Sequence, residues 1–251
     1  MASLTHFAGT LIGSLWGLGA KGSNKRSQIL MYHTIGGRAD GDSRGLYSIR
    51  AENFVSQMTL LKNLVDDQVL RVVPFGCEEP GTLSITFDDG YLDNFTIVQP
   101  KLHSLGFPFH VFVNPSFVNS GDPGFLTKDH VAELGRSVGV TLGVHGYSHE
   151  PLANMPDGRI LEELTRSREW LEDLIDKPVS SMSYPHGSTS RRVSELAGMA
   201  KFQIAACSKF GPISPTSSRM MLPRIDVWST DTSRSFASKI NGGWDWMRWR
   251  T

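Results

Sequence analysis

Two spacings of apolar positions alternate along the chain. Compact apolar or alternating runs at Ile29 to Tyr32, Leu83 to Phe87, Phe109 to Val113, Val140 to Val144, Val179 to Tyr184 and Gln203 to Ala206 read as strands. Between them lie stretches with helical spacing. Ala51 to Leu64 places Phe54, Met58 and Leu61 on one stripe, with Ser48 as a candidate cap, and Asp157 to Ile175 does the same with Ile160, Leu164, Leu171 and Leu174. Strands alternating with helices predict an α/β fold with a parallel sheet rather than a sandwich or a bundle. A short closing strand near Leu222 to Trp228 completes the expected architecture, an incomplete (β/α) barrel of parallel strands with outer helices.

Chemistry concentrates at the ends of two of these strands. Thr86-Phe87-Asp88-Asp89-Gly90-Tyr91 ends one, and His145-Gly146-Tyr147-Ser148-His149 follows another. Alone, Asp-Asp-Gly is a common turn, and a four-residue histidine spacing can mark one face of a helix. Pro151 argues against a helix running through the histidine pair. Two ionised carboxylates in one small site repel each other unless a cation neutralises one of them. Asp89, His145 and His149 supply a carboxylate and two imidazoles, a set that holds a divalent metal and leaves a position open for water. Asp88 is left over as a base.

These motifs resemble those of the polysaccharide deacetylases, carbohydrate esterase family 4. Leu30-Met31-Tyr32-His33 is similar to the family's opening strand, Ser183-Tyr184-Pro185-His186-Gly187 to its third motif and Leu222-Pro223-Arg224-Ile225-Asp226-Val227-Trp228 to its fourth, so the resemblance runs from about residue 28 to residue 228. It implies a metal-dependent hydrolase that removes N-acetyl groups from an amino sugar, in the making of a surface polysaccharide or lipopolysaccharide. Asp88 would be the base and Asp89, His145 and His149 the ligands of a zinc ion, with cobalt, nickel or iron also compatible. The oxyanion side would involve His186 and Tyr184. Tyr147 and Trp228 are candidate aromatic walls for the sugar or its acetyl methyl. Deformylation of a lipid-linked sugar, another C–N hydrolysis, and carbohydrate binding without catalysis are the alternatives.

Three departures from the family pattern matter. Gly146 stands where a Ser or Thr is usual, Ser183 stands near the position of a base-orienting Arg, and no histidine follows His186 to act as a late general acid. Arg224 is the candidate replacement partner for Asp88. His33 and His186 are the candidate acids, His33 being preferred, with substrate contact as its competing role. The remaining histidines, among them His110, read as structural.

Composition narrows the class further. Lys and Arg number 25 and Asp and Glu 25, so net charge is zero and nothing points to a nucleic-acid partner. Cys77 and Cys207 form no disulfide framework. Residues 1–27 read as an apolar N-terminal segment and linker before one catalytic domain, 28–251. The run Phe7 to Ala20 is too short to span a bilayer and has no preceding Lys or Arg. A cytoplasmic protein with some membrane association is the expectation, with export on an atypical signal sequence as the alternative. The segment Trp244 to Arg250 reads either as an interfacial anchor, which would favour a lipid-linked sugar, or as packing on the barrel. Loops at Gly36 to Gly45 and Pro115 to Gly124 are placed on the catalytic rim.

Overall fold

The computed structural model describes residues 26–249. The N-terminal apolar run therefore lies outside the described residues, as does Arg250. In chain order the strands are β1 (Ser27–Tyr32), β2 (Thr34–Ile35), β3 (Ser48–Ile49), β4 (Arg71–Val72), β5 (Thr82–Phe87), β6 (Phe109–Val113), β7 (Val140–Val144), β8 (Ser181–Ser183), β9 (Ile204–Phe210) and β10 (Leu222–Asp226). The helices are α1 (Ala51–Asp66), α2 (Gln99–Leu105), α3 (Pro115–Asn119), α4 (Lys128–Arg136), α5 (Asp157–Ile175), α6 (Arg191–Met199) and α7 (Ser233–Ile240). The sheet runs β1-β10-β9-β8-β7-β6-β5 and closes where β1 pairs with β5. All these pairings are parallel, and the ring lacks one strand of a full eight-stranded barrel. β4 sits beside the start of β5.

β1, β5 and β6 are buried along their whole length, as strands covered on both faces must be. Alternation sorts their side chains. Leu30, Tyr32, Leu83, Ile85, Phe87, Val111 and Ile225 join the cluster under the helices, which receives Phe54, Met58 and Leu61 from α1 and Ile160, Leu164 and Leu171 from α5. Ile29, Phe112, Ile204, Ala206 and Leu222 form a second cluster with Phe75. The same parity directs Thr86, Asp88, His145, Ser183 and Arg224 inward at the strands' C-terminal ends. The barrel thus has an apolar floor and a polar, charged mouth.

Several expectations need correction. Ser48 belongs to β3 and accepts a hydrogen bond from the Ala39 N–H, while the residue before α1 is Arg50, which makes no side-chain cap. The loop expected from Pro115 begins as α3, whose Asn114 cap accepts from the Ser116 and Phe117 amides. Trp244 is fully buried and packs against Trp228, so it is unavailable as a membrane anchor. No helix among the described residues is long and apolar enough to cross a membrane. Both cysteines are free thiols, Cys207 buried and Cys77 exposed.

Close packing reaches the barrel interior. A β-carbon at Gly143 would lie 2.6 Å from Ser181 Oγ and 2.7 Å from His110 Nε2. His110 is itself held by Thr141 at 2.7 Å and Ser181 at 3.1 Å, and burial lowers its pKa to about 3. Gly143→Ala should therefore cost about 1–3 kcal/mol by overpacking. A urea unfolding midpoint equal to that of wild type would refute this tight interior.

Candidate active site

Asp88 and Asp89 follow the last residue of β5, where the strand ends in Gly90 at φ +80°. His145 follows β7, and its amide is tied to the Val113 carbonyl of β6. Gly146 turns the chain at φ +65°, and a β-carbon there would lie 2.8 Å from Pro185 Cγ. The residue that usually brings a hydroxyl at this place has no room for its side chain. His149 ends the excursion at φ +64°. Asp89 at φ +74° and His186 at φ +57° are also left-handed, a conformation that residues with a β-carbon hold only where the surroundings enforce it.

The three proposed ligands meet. One donor atom from each of Asp89, His145 and His149 lies within 4.8 Å of the other two. Asp89 Oδ1 is 3.4 Å from His145 Nε2 and 3.2 Å from His149 Nε2. A tetrahedral zinc ion with bonds of about 2.0–2.1 Å separates its donors by roughly 3.3 Å, so the spacing fits. Asp89 Oδ1 is buried and has no aligned hydrogen-bond donor, which is costly without a cation. His145 Nδ1 faces the Ser183 carbonyl at 3.1 Å and its hydroxyl at 2.5 Å. That places the proton on Nδ1 and turns the Nε2 lone pair to the centre. The residues present therefore suit a divalent ion.

Asp88 is held separately. Arg224, fully buried on β10, forks onto it with two bonds of 2.7 Å, one to each carboxylate oxygen, and also donates to the Cys207 carbonyl and Thr86 Oγ1. Ser183 Oγ donates to Asp88 Oδ1 at 3.3 Å. Burial pushes the Asp88 pKa up, but Arg224, aided by His145 and His33, outweighs it and holds the group below the ordinary carboxylate value. Asp89 behaves likewise, with burial opposed by His149, His33 and His145. Burial takes His145 down to about 4 against the pull of both carboxylates, whereas Asp89 reverses the burial effect and raises His149.

A cleft of about 430 Å³ opens onto these groups, lined by Asp88, Asp89, His145, His149, His33 and His186 among others. The predicted loop after β2 supplies its roof from Ala39 to Tyr47. Tyr91 pins this roof, its hydroxyl accepting from the Asp40 amide at 2.7 Å, and Tyr47 stacks on His33 with ring centres 4.4 Å apart. His186 Nε2 bonds the His149 carbonyl at 2.9 Å. In its turn the Gly187 and Ser188 amides donate to the Tyr184 and Pro185 carbonyls.

Of three residues expected to contact substrate, Tyr147 and Trp228 lie outside the cleft lining and Tyr184 lies within it. Tyr147 is absent from the cleft lining, and Arg166 lies 4.2 Å over its ring. Trp228 packs on Trp244 and under the Lys239 ammonium, 4.0 Å from its ring centre, so it walls no acetyl group. Tyr184 lines the cleft, but its hydroxyl is spent on the Met220 carbonyl and its amide on Ala206. Conversely, sequence reasoning passed over Glu163, a buried carboxylate beside the histidine loop. Its signal was present, since it shares the buried stripe of α5 with Ile160, Leu164 and Ser167.

Comparison with known proteins bears on the family and the fold. A sequence family described as polysaccharide deacetylase matches residues 75–205, just over half of the chain. YxkH of Bacillus subtilis, a protein named for that family, is 23% identical over 156 residues. The match covers 62% of this chain and 55% of YxkH, so the chain spans little more than half of that relative's length. The fold is similar to that of the Streptococcus pyogenes deacetylase PplD, solved in complex with acetate, at 18% identity and a TM-score of 0.74 over 85% of this chain and 97% of the other. It is also similar to BC0361, a polysaccharide deacetylase of Bacillus cereus, at 23% identity and a TM-score of 0.74 over 86% and 69%.

The Arg224 fork has a definite pH signature. With Asp88 held below its unfolded pKa of about 3.9, the pair contributes stability above that value and loses it as pH falls through the folded one. In Arg224→Gln burial is opposed only by the weaker pull of His145 and His33, the folded pKa is expected to rise above the unfolded one, and the sign reverses. That variant should lose about 3–5 kcal/mol at neutral pH and regain part of it on acidification. Urea unfolding from about pH 4 to about pH 8 measures this, and parallel pH curves for the two proteins would contradict it.

Proposed function

The chain belongs to the polysaccharide deacetylase family, and from that premise we propose that it is a metal-dependent N-deacetylase of an acetylated amino sugar, acting in the synthesis of a surface polysaccharide or lipopolysaccharide. The observation that supports this reading most is the buried Asp89 Oδ1 set between two imidazole nitrogens at 3.2 and 3.4 Å, with a separately oriented Asp88 next to it. The acetate in the PplD structure, the product such a reaction releases, is consistent with it.

Asp89, His145 and His149 would hold the ion, and their nitrogen and oxygen donors suit zinc, with cobalt, nickel or iron as competitors. When bound, such an ion polarises the acetyl carbonyl and acidifies a water molecule. The chain's own residues supply the rest. Asp88 Oδ2 carries one Arg224 bond, leaving an acceptor site for the proton of the attacking water. The backbone N–H of His186, which lines the cleft in the turn opened by Pro185, would be the donor for the carbonyl oxygen as it gains charge. The C–N bond then breaks and the leaving nitrogen takes a proton. His33 is the better donor, because it lines the same cleft and His186 already engages the His149 carbonyl.

Acetate release from N-acetylated amino-sugar oligomers tests this reading. Chelation should abolish release and zinc should restore it. Asp88→Asn should lower kcat by about 10²–10⁴-fold while the protein still takes up zinc. Retained activity in that variant would remove Asp88 from the mechanism. A proton donor works only while protonated, so His33→Gln should flatten the alkaline limb of the kcat/KM profile. An unchanged alkaline limb with raised KM would assign His33 to substrate contact instead.

A further inference from the structure

The loop 145–149 carries both imidazoles and contains two left-handed residues, Gly146 and His149. Gly146 has no side chain to brace it, and Pro185 leaves no room for one. Bracing comes from outside the loop. Asn114 donates to the His145 carbonyl at 2.8 Å. Glu163, reaching across from α5, accepts on one oxygen from the Tyr147 amide at 3.1 Å, the Ser148 amide at 2.8 Å and the Ser148 hydroxyl at 2.9 Å.

Glu163 is only 3% exposed. A carboxylate taken from water is tolerated where donors replace the lost hydration. Among the described residues its hydrogen bonds go to the two residues immediately before His149, and Arg159 Nη2 lies 3.8 Å from its other oxygen. Burial of the acid and the shape of the loop therefore require each other.

We infer that Glu163 is a positioning residue for metal binding: it holds the loop, before any ion arrives, in the conformation that turns His145 and His149 toward Asp89. The inference rests on the metal-site reading above and adds to it a cause of affinity. With the clamp in place the ligands are ordered in advance. Without it, the ion has to order Tyr147, Ser148 and His149 as it binds, and affinity falls.

Zinc titration of the metal-free protein, by competition with a chromophoric chelator, tests this without reference to turnover. Glu163→Ala should weaken zinc binding about 10–100-fold, and Glu163→Gln, which keeps an acceptor oxygen, should recover most of the loss. Leu171→Ala, a cavity on the same helix, should lower Tm yet leave zinc affinity at the wild-type value. In metal-free wild type the Tyr147 and Ser148 amides should already resist hydrogen exchange. Any one of three results overturns the inference: fast exchange of those amides in wild type, wild-type zinc affinity in folded Glu163→Ala, or an equal loss in Leu171→Ala. Should wild type itself bind no zinc, the metal-site reading fails together with the inference, which is distinct from wild type and variants binding alike.

Discussion

The paired fork between Arg224 and Asp88 is the constraint on which the mouth of the barrel depends. β1 lies between β10 and β5 in the ring, so the guanidinium reaches over one strand to grip a carboxylate at the end of another. Both charges are almost wholly withdrawn from bulk water, with Arg224 side-chain exposure 0% and that of Asp88, which lines the cleft, 3%. Removing an ion from water costs several kcal/mol, and only near-ideal geometry with every donor occupied offsets it. Here Thr86 and the Cys207 carbonyl take two more of the five guanidinium donors. The pair therefore acts as a single rigid unit that fixes where β5 ends, and with it where both acids begin.

Around this unit the functional groups sit on backbone under strain. Asp89, His149 and His186 are all left-handed, and each follows the C-terminal end of a different strand. Regular strand geometry would alternate the side chains between barrel interior and helix layer, so converging three of them requires the chain to depart from it. Ser183 links the two halves of the site. Its hydroxyl accepts a hydrogen bond from His145 Nδ1–H and donates one to Asp88, so the metal ligand and the base share a hydrogen-bonded neighbour.

What could be read from the chain follows from which interactions are local. The strand ends bearing Asp88, Asp89 and His145, and the α5 stripe, were legible because period and punctuation act over a few residues. Arg224 was legible for a different reason, since Ser183 stands where the family resemblance puts a base-orienting Arg and leaves Asp88 without its usual cationic neighbour. Tyr147 and Trp228 were misread because standing beside a motif does not set the direction of a side chain. Arg166 claims one ring and Lys239 the other, across separations in sequence that no local pattern reports. Glu163 was overlooked because charge on a helix suggests solvent, although its stripe said otherwise.

The collision awaiting a β-carbon at Gly146 also ties two distant motifs together. Pro185 begins the turn that presents the His186 amide, so the tolerance of position 146 is decided at position 185. The two positions are therefore coupled: a side chain at 146 requires the Pro185 ring to shift, so exchanges at the two places should not add independently.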